Sequence, residues 1–164
     1  EQWWLNMDIP IPSPLIRIEH TSTEEVNSLY LKACLDRLEE IIHYHFRDRS
    51  FIVQAVTHTS YSQNRCTDNY QRLEFIGDAV LDYLVTCLIY ARHCTSTPGQ
   101  MTDMRSYFVN NETLARVAIK FGLQRHLLHM APKLQAAIDK FVILSRHETP
   151  RYELITEEED HSIE

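Results

Sequence analysis

Glycine is scarce in this chain, with three residues in 164. So few glycines leave few tight turns, and the long apolar repeats between them favour an all-α fold. Proline is sparse as well, and half of its six residues, Pro10, Pro12 and Pro14, crowd near the start. No run of about 18 apolar residues exists, and Trp3-Trp4 is too short for a signal peptide, so neither a membrane span nor secretion is indicated. The cysteines Cys34, Cys66, Cys87 and Cys94 form no CxxC pair and read as free thiols of a reducing compartment. His43 and His45 with Cys34 match no standard zinc spacing. Internal repeats are absent, and the length allows at most one domain.

Basic charge is also short. The net charge is −7, the wrong sign for a nucleic-acid binder in the simplest reading. Six of the 23 acidic residues fall within residues 153–164, which hold no Lys or Arg. The rest carries 16 basic residues against 17 acidic and is nearly neutral. Any affinity for nucleic acid must then come from local basic groups or from other domains.

Residues 1–22 read as an extended linker around Ile9-Pro10-Ile11-Pro12-Ser13-Pro14. Trp3 and Trp4 are expected to pack against a neighbouring domain outside this chain. The folded domain is expected over 23–148, and 149–164 as an acidic, disordered insertion. A helix is predicted from Thr23 to about His45, with Leu29, Leu31, Leu35, Leu38, Ile41 and Ile42 as its apolar positions. Asp48 caps a second helix over Ser50 to Thr57, with Phe51, Ile52, Val53 and Val56 inward. Ser62 to Asn69 is a loop, and a long helix spans about Tyr70 to Arg92. Thr97-Pro98 starts a helix running to about Phe108. Asn111 caps the next, with Leu114, Val117, Ala118 and Phe121 inward and Gly122 ending it. Pro132 opens a last helix carrying Leu134, Ile138, Phe141, Val142 and Leu144.

The long helix carries the chemistry. Glu74, Asp78 and Asp82 recur every four residues and lie above one another on one face. Like charges so placed repel by a few tenths of a kcal/mol (~0.2–0.5). A bound hard cation offsets that repulsion, and so does plain solvation of an acidic face. Gly77 lies between the first two and costs about 1 kcal/mol in a helix interior, which suggests close approach of another backbone or a ligand. Leu73, Ile76, Val80, Leu84 and Cys87 form a stripe expected to face a core. Asp82 reads as a pairing or solvated group rather than a ligand.

The string Arg72 through Leu84, RLEFIGDAVLDYL, resembles the signature of ribonuclease III nuclease domains. Thr57-His58-Thr59-Ser60-Tyr61 precedes it as in that family, and Pro98 to Ser106 and Val109 to Ala115 follow in the family's order. The resemblance covers about residues 35–145 and is strongest to the Dicer branch, at its second, C-terminal nuclease domain. It implies the ribonuclease III helical fold, incomplete here. It also implies a double-stranded-RNA endonuclease in which Glu74 and Asp78 are catalytic and bind Mg²⁺ (Mn²⁺ as a substitute), two ions per site about 3.5–4 Å apart. Gln71 and about Pro98 stand where bacterial relatives have acids, as in Dicers. His58 belongs to a stretch that packs in the family, so it is not expected to be the general base.

Family members complete the site with an aspartate and a glutamate three residues apart on a later helix, and no such string follows Leu144. The chain is therefore expected to be about the first two thirds of a nuclease domain, inactive alone. Candidate RNA contacts are Asn64, Arg65, Arg72, Arg105, Asn110 and Asn111, because double-stranded RNA is read through phosphates and 2′-hydroxyls. Arg72 could equally pair with an acid, and Asn111 could serve only as a cap. The implied substrate is double-stranded RNA or a precursor hairpin, cut to 5′-phosphate ends with two-nucleotide 3′ overhangs. The implied partners are a preceding ribonuclease III domain in the same polypeptide and a double-stranded-RNA-binding accessory protein. No membrane is involved, and the implied location is cytoplasmic. A catalytically dead module of the family is the alternative, against which the intact signature argues. A general helical interaction domain would leave the signature unexplained.

Overall fold

The computed structural model describes residues 23–145, and within them the fold is all-α. The expected linker at 1–22 with its two tryptophans, and the expected insertion at 149–164, lie outside the described residues. The helices are α1 (Thr23–Lys32), α2 (Leu35–Ile42), α3 (Arg49–Ala55), α4 (Gln71–Arg92), α5 (Pro98–Phe108), α6 (Asn111–Lys120) and α7 (Pro132–Ser145), with a 3₁₀ turn at Leu123–His126. None is long and apolar enough to cross a membrane.

The first predicted helix is two helices. The chain breaks at Cys34, whose backbone is left-handed at φ 50° and ψ 48°. That conformation costs a non-glycine residue about 1–2 kcal/mol. Two contacts offset it. The amide of Arg37 bonds Cys34 O at 3.1 Å, leaving the Ala33 carbonyl to accept from Nδ1 of buried His126 at 2.8 Å. The break also seats Leu35 with no exposed surface. Helix α2 stops at Ile42 rather than His45. His43 is left-handed at φ 52°, and the amides of His43 and Tyr44 cap the carbonyls of Glu40 and Glu39, a Schellman closure made without glycine.

Leu29, Tyr30, Ala33, Leu35, Leu38, Ile52, Val53, Tyr61, Cys66 and Leu128 form one buried core. Leu31 and Ile42, counted among the apolar positions of the first helix, are exposed. Leu128 arrives from far along the chain. Its amide bonds Val56 O at 2.8 Å and its carbonyl accepts from His58 N at 2.9 Å. Under the core, buried Glu39 accepts from Phe46 N at 2.9 Å, from Tyr30 Oη at 3.1 Å and from His45 Nδ1 at 3.1 Å. Burial pushes the Glu39 carboxyl up, but these donors outweigh it and leave it below the usual carboxylate range.

Local end signals act as the sequence implies. Asp48 accepts from Ser50 N at 3.0 Å and starts α3. Thr97 and Gln100 form a capping box with Pro98 at the first turn of α5. Gly122 takes φ 73° after α6. Two details differ. Asn110, not Asn111, caps α6, accepting from Thr113 N at 2.8 Å. Val117 and Phe121, expected inward, are exposed, as is Leu144 of α7.

The largest difference is α4. Its expected core stripe is not buried: Ile76, Val80 and Leu84 are 42%, 51% and 57% exposed, Cys87 is exposed, and Leu73 is half-buried. Only Ile89 of this helix is buried. The reason is topological. The core is made by α1 to α3, the loop after α3 and Leu128, while α4 packs against α5. Among the described residues nothing buries the stripe fully.

Candidate active site

The start of α4 is fastened to the core before any functional side chain appears. Tyr70 N bonds Thr57 O at 3.0 Å, Gln54 Nε2 donates to Asn69 O at 3.2 Å, and Gln71 N bonds Asn69 Oδ1 at 3.0 Å. Asn64 organises the loop between. Its Oδ1 accepts from Cys66 N and Thr67 N at 2.9 and 3.1 Å, and its Nδ2 donates to Thr57 Oγ1 and Thr67 Oγ1 at 2.9 and 2.7 Å. Thr57 Oγ1 itself donates to Val53 O at 2.7 Å. His58 is part of the same fastening: its Nδ1 accepts from Ser60 N at 3.1 Å, and its ring lies 5.9 Å from that of Tyr70. Burial, with the Glu25 carboxylate beside it, pushes the Cys66 thiol up, which suits an unreactive structural thiol.

Glu74 follows one turn into α4, its amide bonded to Tyr70 O at 2.9 Å. Asp78 stands one turn further, about 6 Å along the axis. Both carboxylates are exposed. A Cβ on Gly77, between them, would meet nothing within 4 Å, so no neighbour among the described residues explains that glycine. Asp82 is spent otherwise, with Arg105 Nε 3.5 Å from its Oδ1, which ties α5 to α4. Two exposed carboxylates one turn apart are hard oxygen donors, and Mg²⁺ often takes one or two from a protein and keeps waters elsewhere. The donor set fits such an ion. No cluster of three or more His, Cys, Asp or Glu suited to a metal occurs among the described residues.

Residues 48–147 match the family described as Ribonuclease-III-like. The chain belongs to that family. This ribonuclease III-like chain is 43% identical over 155 residues to Endoribonuclease Dcr-1 of Drosophila melanogaster, covering 92% of the chain. It is 45% identical over 140 residues to Endoribonuclease dcr-1 of Caenorhabditis elegans, covering 82%. The chain spans 7% of the length of each of these relatives. In three dimensions it resembles the nuclease domain of ribonuclease III from Campylobacter jejuni, described as flexible in a region involved in dimer formation. The TM-score is 0.58 at 29% identity, covering 68% of this chain and 76% of that one.

The RNA-contact candidates divide by environment. Arg65, Arg72 and Asn111 are exposed, and their side chains have no partner among the described residues. Arg105 is held by Asp82. The amide of Asn64 is saturated by the loop, and Asn110 is spent on capping, with Nδ2 donating to Tyr107 O at 2.7 Å. Sequence reasoning missed Gln54, Thr57 and Tyr70 as residues that position α4. Their signal was weak, since Thr57 lies in the recognised THTSY stretch but its partners lie elsewhere in the chain.

Proposed function

We propose that this ribonuclease III-like chain is part of the catalytic nuclease domain of a Dicer-like endoribonuclease acting on double-stranded RNA. The observation that carries the reading is the Glu74–Asp78 pair, accessible on a helix whose first turn is bonded to the core. These two carboxylates would hold Mg²⁺, or Mn²⁺ in its place, and the remaining ligands come from outside the described residues. When bound, the metal supplies Lewis-acid stabilisation and an activated water for phosphodiester hydrolysis. The chain's own work is to hold the carboxylates one turn apart and to keep them open to a phosphate. Arg65, Arg72 and Asn111 have donors available for phosphates and 2′-hydroxyls. Arg105 sets the outer edge of the site through Asp82, and Asn64 and Asn110 act by fixing the loop and helix ends.

In this reading one strand is cut here. A second ribonuclease III domain of the same polypeptide cuts the other, leaving 5′-phosphates and two-nucleotide 3′ overhangs. Precursor hairpins and long duplex RNA both suit a site that reads shape, and a double-stranded-RNA-binding protein is the fitting accessory partner in the cytoplasm. The test is Glu74→Ala and Asp78→Ala in the full-length polypeptide, with each RNA strand labelled separately. Cleavage of one strand falls by about 10³-fold, a loss of several kcal/mol of transition-state stabilisation, and the other strand is still cut. Unchanged cleavage of both strands would overturn the assignment.

A further inference from the structure

The peptide unit between Asn69 and Tyr70, just ahead of α4, is held at both of its polar groups by the end of α3 and the residues after it. Its N–H, on Tyr70, donates to Thr57 O at 3.0 Å, and its carbonyl, on Asn69, accepts from Gln54 Nε2 at 3.2 Å. Thr57 N in turn donates to Gln54 O at 3.1 Å, which closes the frame. A peptide unit is planar, so fixing both groups fixes its plane and the direction in which the chain leaves it. The α4 ladder starts at the next carbonyl, where Glu74 N donates to Tyr70 O at 2.9 Å. The clamped unit is therefore the root from which the Glu74–Asp78 pair is aimed. Asp78 lies about 12 Å along the axis from Tyr70, and a tilt of roughly 5° at the root moves it by about 1 Å. An error of that size costs about 10²-fold in rate where reacting groups must be aligned.

Gln54 makes its half of the clamp with an unsatisfied atom. Its side chain is buried, at 2% exposed, and Nε2 faces Asn69 O because a carbonyl accepts only from a donor. That leaves Oε1 sealed from water with no hydrogen-bond partner among the described residues. Thr57 is equally buried, but its hydroxyl donates to Val53 O and accepts from Asn64 Nδ2. An orphaned buried acceptor is destabilising, and an apolar side chain of the same shape would remove the penalty. Packing alone therefore does not explain a glutamine at this position, whereas the donor it supplies to Asn69 O does. Departures from the most stable choice of this kind belong to functional sites. We propose, resting on the nuclease reading above, that Gln54 is a positioning residue for the cleavage reaction, one that keeps Glu74 and Asp78 aimed and lowers fold stability in doing so. Buried as it is, it acts through α4 and not on the RNA.

The test is Gln54→Met in the full-length polypeptide, a change that keeps the length of the side chain and removes both of its polar atoms. With the two RNA strands labelled separately, cleavage of the strand cut by this domain is expected to slow by about 10–10²-fold at saturating RNA. The KM for duplex RNA and the rate of the other cut are expected to stay at their wild-type values. Amide hydrogen exchange is the second measurement. It is expected to quicken at Tyr70 and Glu74 and to remain as slow as in the wild type, or slower, at Ile52 and Val53. Unslowed cleavage overturns the proposal, as does a raised KM with an unchanged rate, which marks an RNA contact. Lost protection at Ile52 and Val53 overturns it too, because Gln54 is then a packing residue whose removal unfolds the site. Glu74→Ala run alongside separates the two possible failures. If it spares both strands, the nuclease reading falls and this inference with it; if it abolishes one cut that Gln54→Met does not slow, this inference alone falls.

Discussion

The body built by α1 to α3 and the arm built by α4 and α5 are made of similar residues and treat them in opposite ways. In the body, Leu35 and Val53 are completely buried and even a carboxylate, Glu39, is enclosed with three donors. Along the 22 residues of α4, with Phe75, Ile76, Val80, Tyr83, Leu84 and Leu88 exposed, a single residue is buried. The body therefore holds itself together. The arm is positioned at its root, by Thr57, Asn64 and Tyr70, and by Arg105 along its edge. The apolar stripe that the described fold leaves half exposed runs along the same helix as two open carboxylates.

That contrast can be broken by truncation. Leu35→Ala is expected to cost about 2–5 kcal/mol of stability, while Leu84→Ala costs less than about 0.5 kcal/mol in this chain, both read from chemical denaturation. Equal costs would mean that the arm has a core of its own. Next in size is the joint between the regions. Asn64→Ala strips donors and acceptors from a half-buried loop and is expected to cost about 1–3 kcal/mol. It should also loosen the first turn of α4, visible as faster amide exchange at Tyr70 and Glu74.

A smaller effect sharpens the account of the body. The Glu39 carboxyl lies below its ordinary range in the folded state, so its stabilisation is full above the unfolded value of about 4.3 and is lost as pH falls through the folded value. Glu39→Gln is expected to cost about 1–2 kcal/mol at pH 7, and the gap from wild type narrows below about pH 4 in thermal melts. A gap that stays constant down to pH 3 would show that the carboxylate charge is not what holds the Phe46 turn. The least effect is expected at the edge of the arm. Arg105→Ala removes a partly exposed ion pair with Asp82 and should change stability by under about 1 kcal/mol, less still in high salt.

Much of this was legible because it is local. Asp48, the Thr97–Gln100 box and Gly122 declare helix ends through side chains two or three residues away, and each occupies its expected place. The acidic pair is equally local, since four residues make one turn wherever the helix goes. The shift of the α6 cap from Asn111 to Asn110 is a near miss between adjacent residues with the same chemistry. The break at Cys34 was not legible, because the group that takes up the freed Ala33 carbonyl is His126, 93 residues later. Nor was the exposure of the α4 stripe, because periodicity shows that a helix has an apolar face and does not name what covers it.

The sequence by itself determined an all-α chain, the family signature, and the placing of Glu74 and Asp78 on one helical face. The tertiary structure alone decided that α4 stands outside the core and that Asn64 is a loop fastener. The division has one physical reason. Turn geometry and capping act over a few residues, whereas burial depends on which distant segments meet, and those partners are written elsewhere in the chain or outside it.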